Sequence, residues 1–149
     1  MPVRVQSSSV VGVDAHPIEV EVDVVPKVFG YEIVGLPSNS VRESRQRVKA
    51  AIRNSGYKFP RERVVVNLSP ADVRKEGTAL DLPIAIGILA ASGQLDAASR
   101  LPTTLMVGEL ALGGEVRMVR GTLPMLLQAA ERGFRTGVVP EGNAAEACS

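Results

Sequence analysis

The sequence predicts a domain of mixed strands and helices, and three patterns carry that reading. Ile18, Val20, Val22 and Val24 alternate with Glu19, Glu21 and Asp23, the period of a strand with one apolar face and one wet face. Ser40 and Glu43 have the spacing of a capping box and precede a stretch of apolar residues at helical period. Leu112-Gly113-Gly114 sits between two apolar runs, as a hairpin requires.

Taken in order, residues 3–13 and 17–25 read as strands joined by a turn at residues 14–16, and Pro26 ends the second. Residues 31–34 form a third strand, closed by Gly35-Leu36-Pro37. A helix is expected over about residues 40–55, with Val41, Val48, Ala51 and Ile52 on one face and Gly56 as its stop. Residues 64–68 read as a buried strand, and a loop over 69–78 follows. A second helix, about 81–93, takes Asp81 as N-cap and Pro83 in its first turn. It is apolar almost all round (Leu82, Ile84, Ile86, Ile88, Leu89), which predicts a central position. Residues 104–110 and 115–119 flank the hairpin turn, 122–132 form a helix before Gly133, and 136–139 a last strand. From Asn143 an Ala-rich helix is expected to begin, cut off by the chain end. No repeat or interdomain linker interrupts residues 1–149, which read as one domain excised from a longer protein.

With 45% hydrophobic residues and no Trp, the core must be built from Val, Ile, Leu and Ala. Phe29, Tyr31, Tyr57, Phe59 and Phe134 are the whole aromatic stock, so stacking platforms for bases are scarce. Cys148 is the only cysteine, which excludes an internal disulfide and a cysteine-based zinc site and suits a reducing, cytoplasmic setting. No signal peptide or membrane span is visible. The net charge of +1 names no partner, but its distribution is uneven. Residues 42–75 hold ten Lys/Arg against three Asp/Glu, while the first 35 residues hold two cations against five anions. One basic face and one acidic edge are expected.

Four ordered segments carry a family resemblance. Gly30-Tyr31-Glu32-Ile33-Val34-Gly35-Leu36-Pro37 runs into Val41-Arg42-Glu43-Ser44-Arg45-Gln46-Arg47-Val48. Val66-Asn67-Leu68-Ser69-Pro70-Ala71-Asp72 leads to Lys75-Glu76-Gly77 and Asp81-Leu82-Pro83-Ile84-Ala85. Gly108-Glu109-Leu110-Ala111-Leu112-Gly113-Gly114-Glu115-Val116-Arg117 precedes Arg120-Gly121. Together they resemble the N-terminal domain of ComM/YifB proteins, the magnesium-chelatase-like AAA+ ATPases, over nearly the whole chain. The resemblance implies an α+β domain of the Lon-protease kind, a fold shared with the second domain of a small-subunit ribosomal protein. It also implies an ATPase module downstream, using ATP and Mg, in a hexameric DNA helicase that drives branch migration during recombination. The domain's own ATPase module and sister subunits would then be its partners. Porphyrin metalation does not follow from the chelatase label.

Lon-type proteases carry a serine nucleophile in a K-D/E-G-P-S-A-G loop, and the matching position here is Ala79. A methyl group has neither lone pair nor removable proton. The family's lysine base would fall at Leu123 or Pro124, and no lysine occurs after Lys75. Thr78 is the one neighbouring hydroxyl, read first as a turn or capping group. His16 reads as a turn residue. Glu19, Glu21 and Asp23 mark a solvent face and lack His or Cys companions for a metal. The dipeptide Gly-Lys is absent, so no P-loop and no nucleotide cofactor are expected in this chain. The expectation is a domain that is not itself an enzyme.

On the first helix, Arg42, Arg45, Lys49 and Arg53 fall within about 80° of arc, while Arg47 points elsewhere. Arg61 and Arg63 extend the patch. Such a stripe suits a phosphate backbone, a neighbouring subunit, or plain solvent, and the residues leave these three open. The competing functions are a divergent Lon-like serine or threonine peptidase using Thr78 or an unidentified serine, and an adaptor that docks a protein on the acidic strand edge.

Overall fold

A computed structural model describes residues 2–11, 13–75 and 77–143. The expected helix after Asn143, Cys148 and Glu76 of the loop motif lie outside the described residues.

The alternation seen in the sequence becomes a long hairpin. Strand β1 (Val3–Val11) pairs antiparallel with β2 (Asp14–Val25), from Val3 opposite Val22 to Val11 opposite Asp14. Pairing thus continues to the tip, and His16 belongs to β2 opposite Ser9, not to a turn. Strand β4 (Arg63–Ser69) joins the other side of β2 antiparallel, and β3 (Tyr31–Val34) pairs parallel with β4. On the far side, β5 (Thr104–Met106) and β8 (Thr136–Val138) add in parallel, giving the order β3-β4-β2-β1-β5-β8. The mixed sheet and its helices form the α+β class that the sequence predicts.

The predicted 104–110 arm divides. Its first half is β5 of the main sheet; its second is β6 (Glu109–Leu110), paired with β7 (Val116–Arg117) in a separate hairpin. The chain turns out of the sheet at Gly108, where a Cβ would sit 2.7 Å from Val116 Cγ1.

The predicted 40–55 helix also divides, into α1 (Asn39–Arg42) and α2 (Ser44–Asn54). Its cap is Ser38, not Ser40: the Ser38 hydroxyl accepts from the Val41 amide at 3.4 Å. The reason is tertiary. Lys75 N–H donates to Leu36 O and Ser38 N–H donates to Lys75 O, so the 69–78 loop fixes Ser38 in extended backbone. Ser40 Oγ accepts from Gly77 N–H at 3.2 Å instead.

Helix α3 (Asp81–Ala91) is central, as its composition requires, and packs on β1, β2 and α2. Its closest approach is at Gly87, where a Cβ would lie 2.6 Å from Val22 Cγ2. Helix α4 (Thr122–Glu131) covers the opposite sheet face. Adjacent residues of β5 show the division: Met106 joins the large core with Val20, Val66 and Ile84, and Leu105 joins Met125 and Ala129 beneath α4. Among the described residues no helix is long and apolar enough to cross a membrane.

Candidate functional site

The 69–78 loop is held from inside. Lys75 is fully buried, and its ammonium donates to the Pro70 carbonyl. Burial lowers its pKa, with Asp72 pulling the other way. What reads in the sequence as a charged loop residue is therefore an internal brace.

Beyond this brace the chain lines a cleft of about 520 Å³ with Thr78, Ala79, Glu109, Arg120 and Met125. Ala79 is buried and packs in the cluster beneath α4, while Thr78 is half-buried. Helix α4 contributes Met125 to the lining; Leu123 and Pro124 lie outside it, Leu123 being exposed. The place expected for a base therefore does not line the cleft that holds Ala79, the position expected for a nucleophile. The described lining offers one hydroxyl at Thr78, one carboxylate at Glu109 and one guanidinium at Arg120.

Asp81 is not an N-cap side chain. Leu80 holds the cap position, and the buried Asp81 carboxylate accepts from Arg47 Nε at 2.7 Å, Arg47 Nη2 at 3.0 Å and the Leu110 amide at 3.0 Å. Burial pushes the Asp81 pKa up, against the pull of Arg47 and the Leu110 amide. The bond to Asp81 holds the Arg47 guanidinium above its ordinary value. Arg47 therefore points away from the stripe because it ties α2 to α3 and the β6–β7 hairpin.

The six basic candidates divide. Arg63 is taken up by an ion pair with Glu32. Arg45 donates to the Tyr31 carbonyl at 3.1 Å, and Arg42 is exposed on α1 across the break at Glu43. Lys49, Arg53 and Arg61 come together. Two adjoining grooves of about 730 and 370 Å³ share Arg53, Phe59, Pro60, Arg61 and Glu62. Lys58 and Tyr57 also line one; Lys49 and Phe29 also line the other. Lys49 Nζ sits 5.4 Å from the centre of the Phe59 ring, which in turn packs on Tyr31 at 4.9 Å. Among the described residues, none of Lys49, Arg53, Lys58 and Arg61 has a carboxylate within 4.0 Å.

Sequence reasoning missed Lys58, Phe29 and Tyr57. Proximity to Phe59 and Arg61 in sequence could have flagged Tyr57 and Lys58. Phe29 reaches them only through folding: the parallel β3–β4 pairing sets Gly30 O on Val64 N–H at 2.9 Å. The acidic edge is less free than its composition implies, because Arg4 Nε lies 3.2 Å from Glu21 Oε2 and 3.8 Å from Glu19 Oε2. Among the described residues no cluster of three or more His, Cys, Asp or Glu could hold a metal ion.

Comparison with known proteins identifies the family of the chain. A family model described as subunit ChlI of Mg-chelatase matches residues 20–143. The chain belongs to the Mg-chelatase subunit ChlI family. Within that family it is a ComM/YifB relative: it is 46% identical to competence protein ComM of Haemophilus influenzae over 143 residues, 96% of this chain and 28% of that protein. It is likewise 46% identical to YifB of Escherichia coli over 129 residues, 87% of this chain and 25% of YifB. A more distant similarity, 32% over 111 residues, joins it to DNA repair protein RadA of Mycobacterium tuberculosis, covering 71% of this chain and 22% of RadA. The chain thus spans about a quarter of the length of these relatives.

Proposed function

We propose that this is the non-catalytic N-terminal domain of a ComM/YifB-type AAA+ ATPase, and that its basic grooves touch the DNA on which the parent ring works. The observation that carries the reading is the set of Lys49, Arg53, Lys58 and Arg61 around shared grooves, without ion-pair partners among the described residues. Cations left unpaired at neighbouring positions favour a polyanion, whose condensed counterions they release. The name of one relative, DNA repair protein RadA, agrees with a DNA substrate for the whole assembly.

In this reading ATP and Mg are handled by the downstream module, the parent is a cytoplasmic hexamer that drives branch migration, and the sister subunits are further partners. The domain positions the ring and guides DNA along its surface. Reversing Arg53 and Arg61 to Glu tests it without disturbing Arg45 or Lys49, which brace Tyr31 and Phe59. Loss of duplex affinity at low salt supports the reading, and unchanged affinity contradicts it.

A peptidase remains the competing reading on one observation: Thr78 lines a cleft of about 520 Å³. Its hydroxyl would need a base in reach, and among the described residues the adjoining lining supplies the Glu109 carboxylate and the Arg120 guanidinium as charged groups. Peptide hydrolysis that disappears in Thr78→Ala would establish the peptidase; no turnover by the wild type sets it aside.

A further inference from the structure

Every aromatic residue except Phe134 lies at the basic end of the domain, and two of them face solvent. Phe29 is 85% exposed and Tyr57 is 47% exposed. They stand in the two adjoining grooves, with Arg53, Phe59, Pro60, Arg61 and one carboxylate, Glu62, on the ground between them. Phe59 is the anchored member: it packs on Tyr31 and carries Lys49 over its face. Phe29 and Tyr57 have no such role in the core, and leaving a benzyl group in water is unfavourable unless something covers it.

Charge and rings together select among polyanions. In a duplex the bases are stacked inside, so a protein ring meets only backbone and groove. An unpaired strand offers each base's π-face, and rings set among cations can stack on bases while phosphates pass over the ammonium and guanidinium groups. Resting on the DNA reading above, we propose that these grooves form a single-strand site. Bases stack on Phe29 and Tyr57, and Lys49, Arg53, Lys58 and Arg61 follow the phosphates. Such contacts are tolerant of sequence, because every base has a face to stack.

The test uses this chain with a labelled oligothymidylate of about twenty nucleotides and a duplex of equal length. The strand should bind more tightly than the duplex, with a log–log salt slope of about −3 for four phosphate contacts. Phe29→Ala and Tyr57→Ala should each weaken strand binding about tenfold and leave duplex binding unchanged. Phe29 is so exposed that its removal leaves the core intact. Arg53→Glu with Arg61→Glu should weaken both ligands. A label-free readout comes from the absence of Trp: strand binding should quench the emission of Tyr57, and Tyr57→Phe should abolish the quenching. Strand affinity unmoved by loss of either ring, with duplex still bound, overturns the single-strand site while the DNA reading stands. Binding of neither ligand at low salt overturns both, leaving a protein partner as the occupant of the grooves.

Discussion

Arg47 grips the Asp81 carboxylate with two nitrogens, Nε at 2.7 Å from Oδ2 and Nη2 at 3.0 Å from Oδ1. The Asp81 side chain is wholly buried, whereas that of Arg47 keeps 20% of its exposure. The two partners are therefore unequal. Arg47→Leu leaves a buried carboxylate with only the Leu110 amide, and should cost about 3–5 kcal/mol in urea unfolding. Asp81→Leu leaves a guanidinium that can turn toward water and should cost less. Equal losses from the two substitutions would contradict this asymmetry.

Lys75 gives a pH dependence of known sign. Its folded pKa lies below the ordinary 10.5, so between those two values the unfolded chain binds a proton that the folded chain does not. Stability from this group then rises with pH across that window and is lost as pH falls through the folded value. The stability difference between wild type and Lys75→Met should accordingly shift in favour of the wild type from neutral pH toward pH 10. A flat difference would mean that the buried amine is not desolvated.

Tyr31 buries a hydroxyl that has no hydrogen-bond partner among the described residues, and burial pushes its pKa up. An unmatched buried hydroxyl costs about 1–3 kcal/mol. Tyr31→Phe keeps the ring contact with Phe59 and should stabilise the domain, read as a higher thermal midpoint.

Gly87 sets how closely α3 lies on the sheet. Gly87→Ala would push a methyl to 2.6 Å from Val22 Cγ2, with Val22 itself fully buried. Overpacking of this kind should cost about 1–3 kcal/mol, measured by chemical unfolding.

Much of this architecture was legible because burial imprints itself on local pattern. The β2 alternation, the apolar α3 and the glycine-marked hairpin each state their environment residue by residue. What escaped depended on distant partners. Ser38 caps α1 because Lys75 pins it, and Asp81 serves Arg47 and Leu110 instead of its own helix end. Spacing could show a basic stripe but not how it divides, since Glu32 and the Tyr31 carbonyl occupy Arg63 and Arg45 by tertiary contact, while Lys49 stays in the groove over Phe59. Phe29 joined the grooves only through the parallel pairing of β3 with β4.

The basic grooves are the surface proposed to meet DNA. Amide chemical shifts of the 149-residue chain, followed while DNA is added at low salt, test this most directly. Perturbations gathered at Phe29, Lys49, Arg53 and residues 57–59, 61 and 62 are the predicted result. Perturbations confined to the Thr78–Ala79 cleft, or none at all, would contradict it.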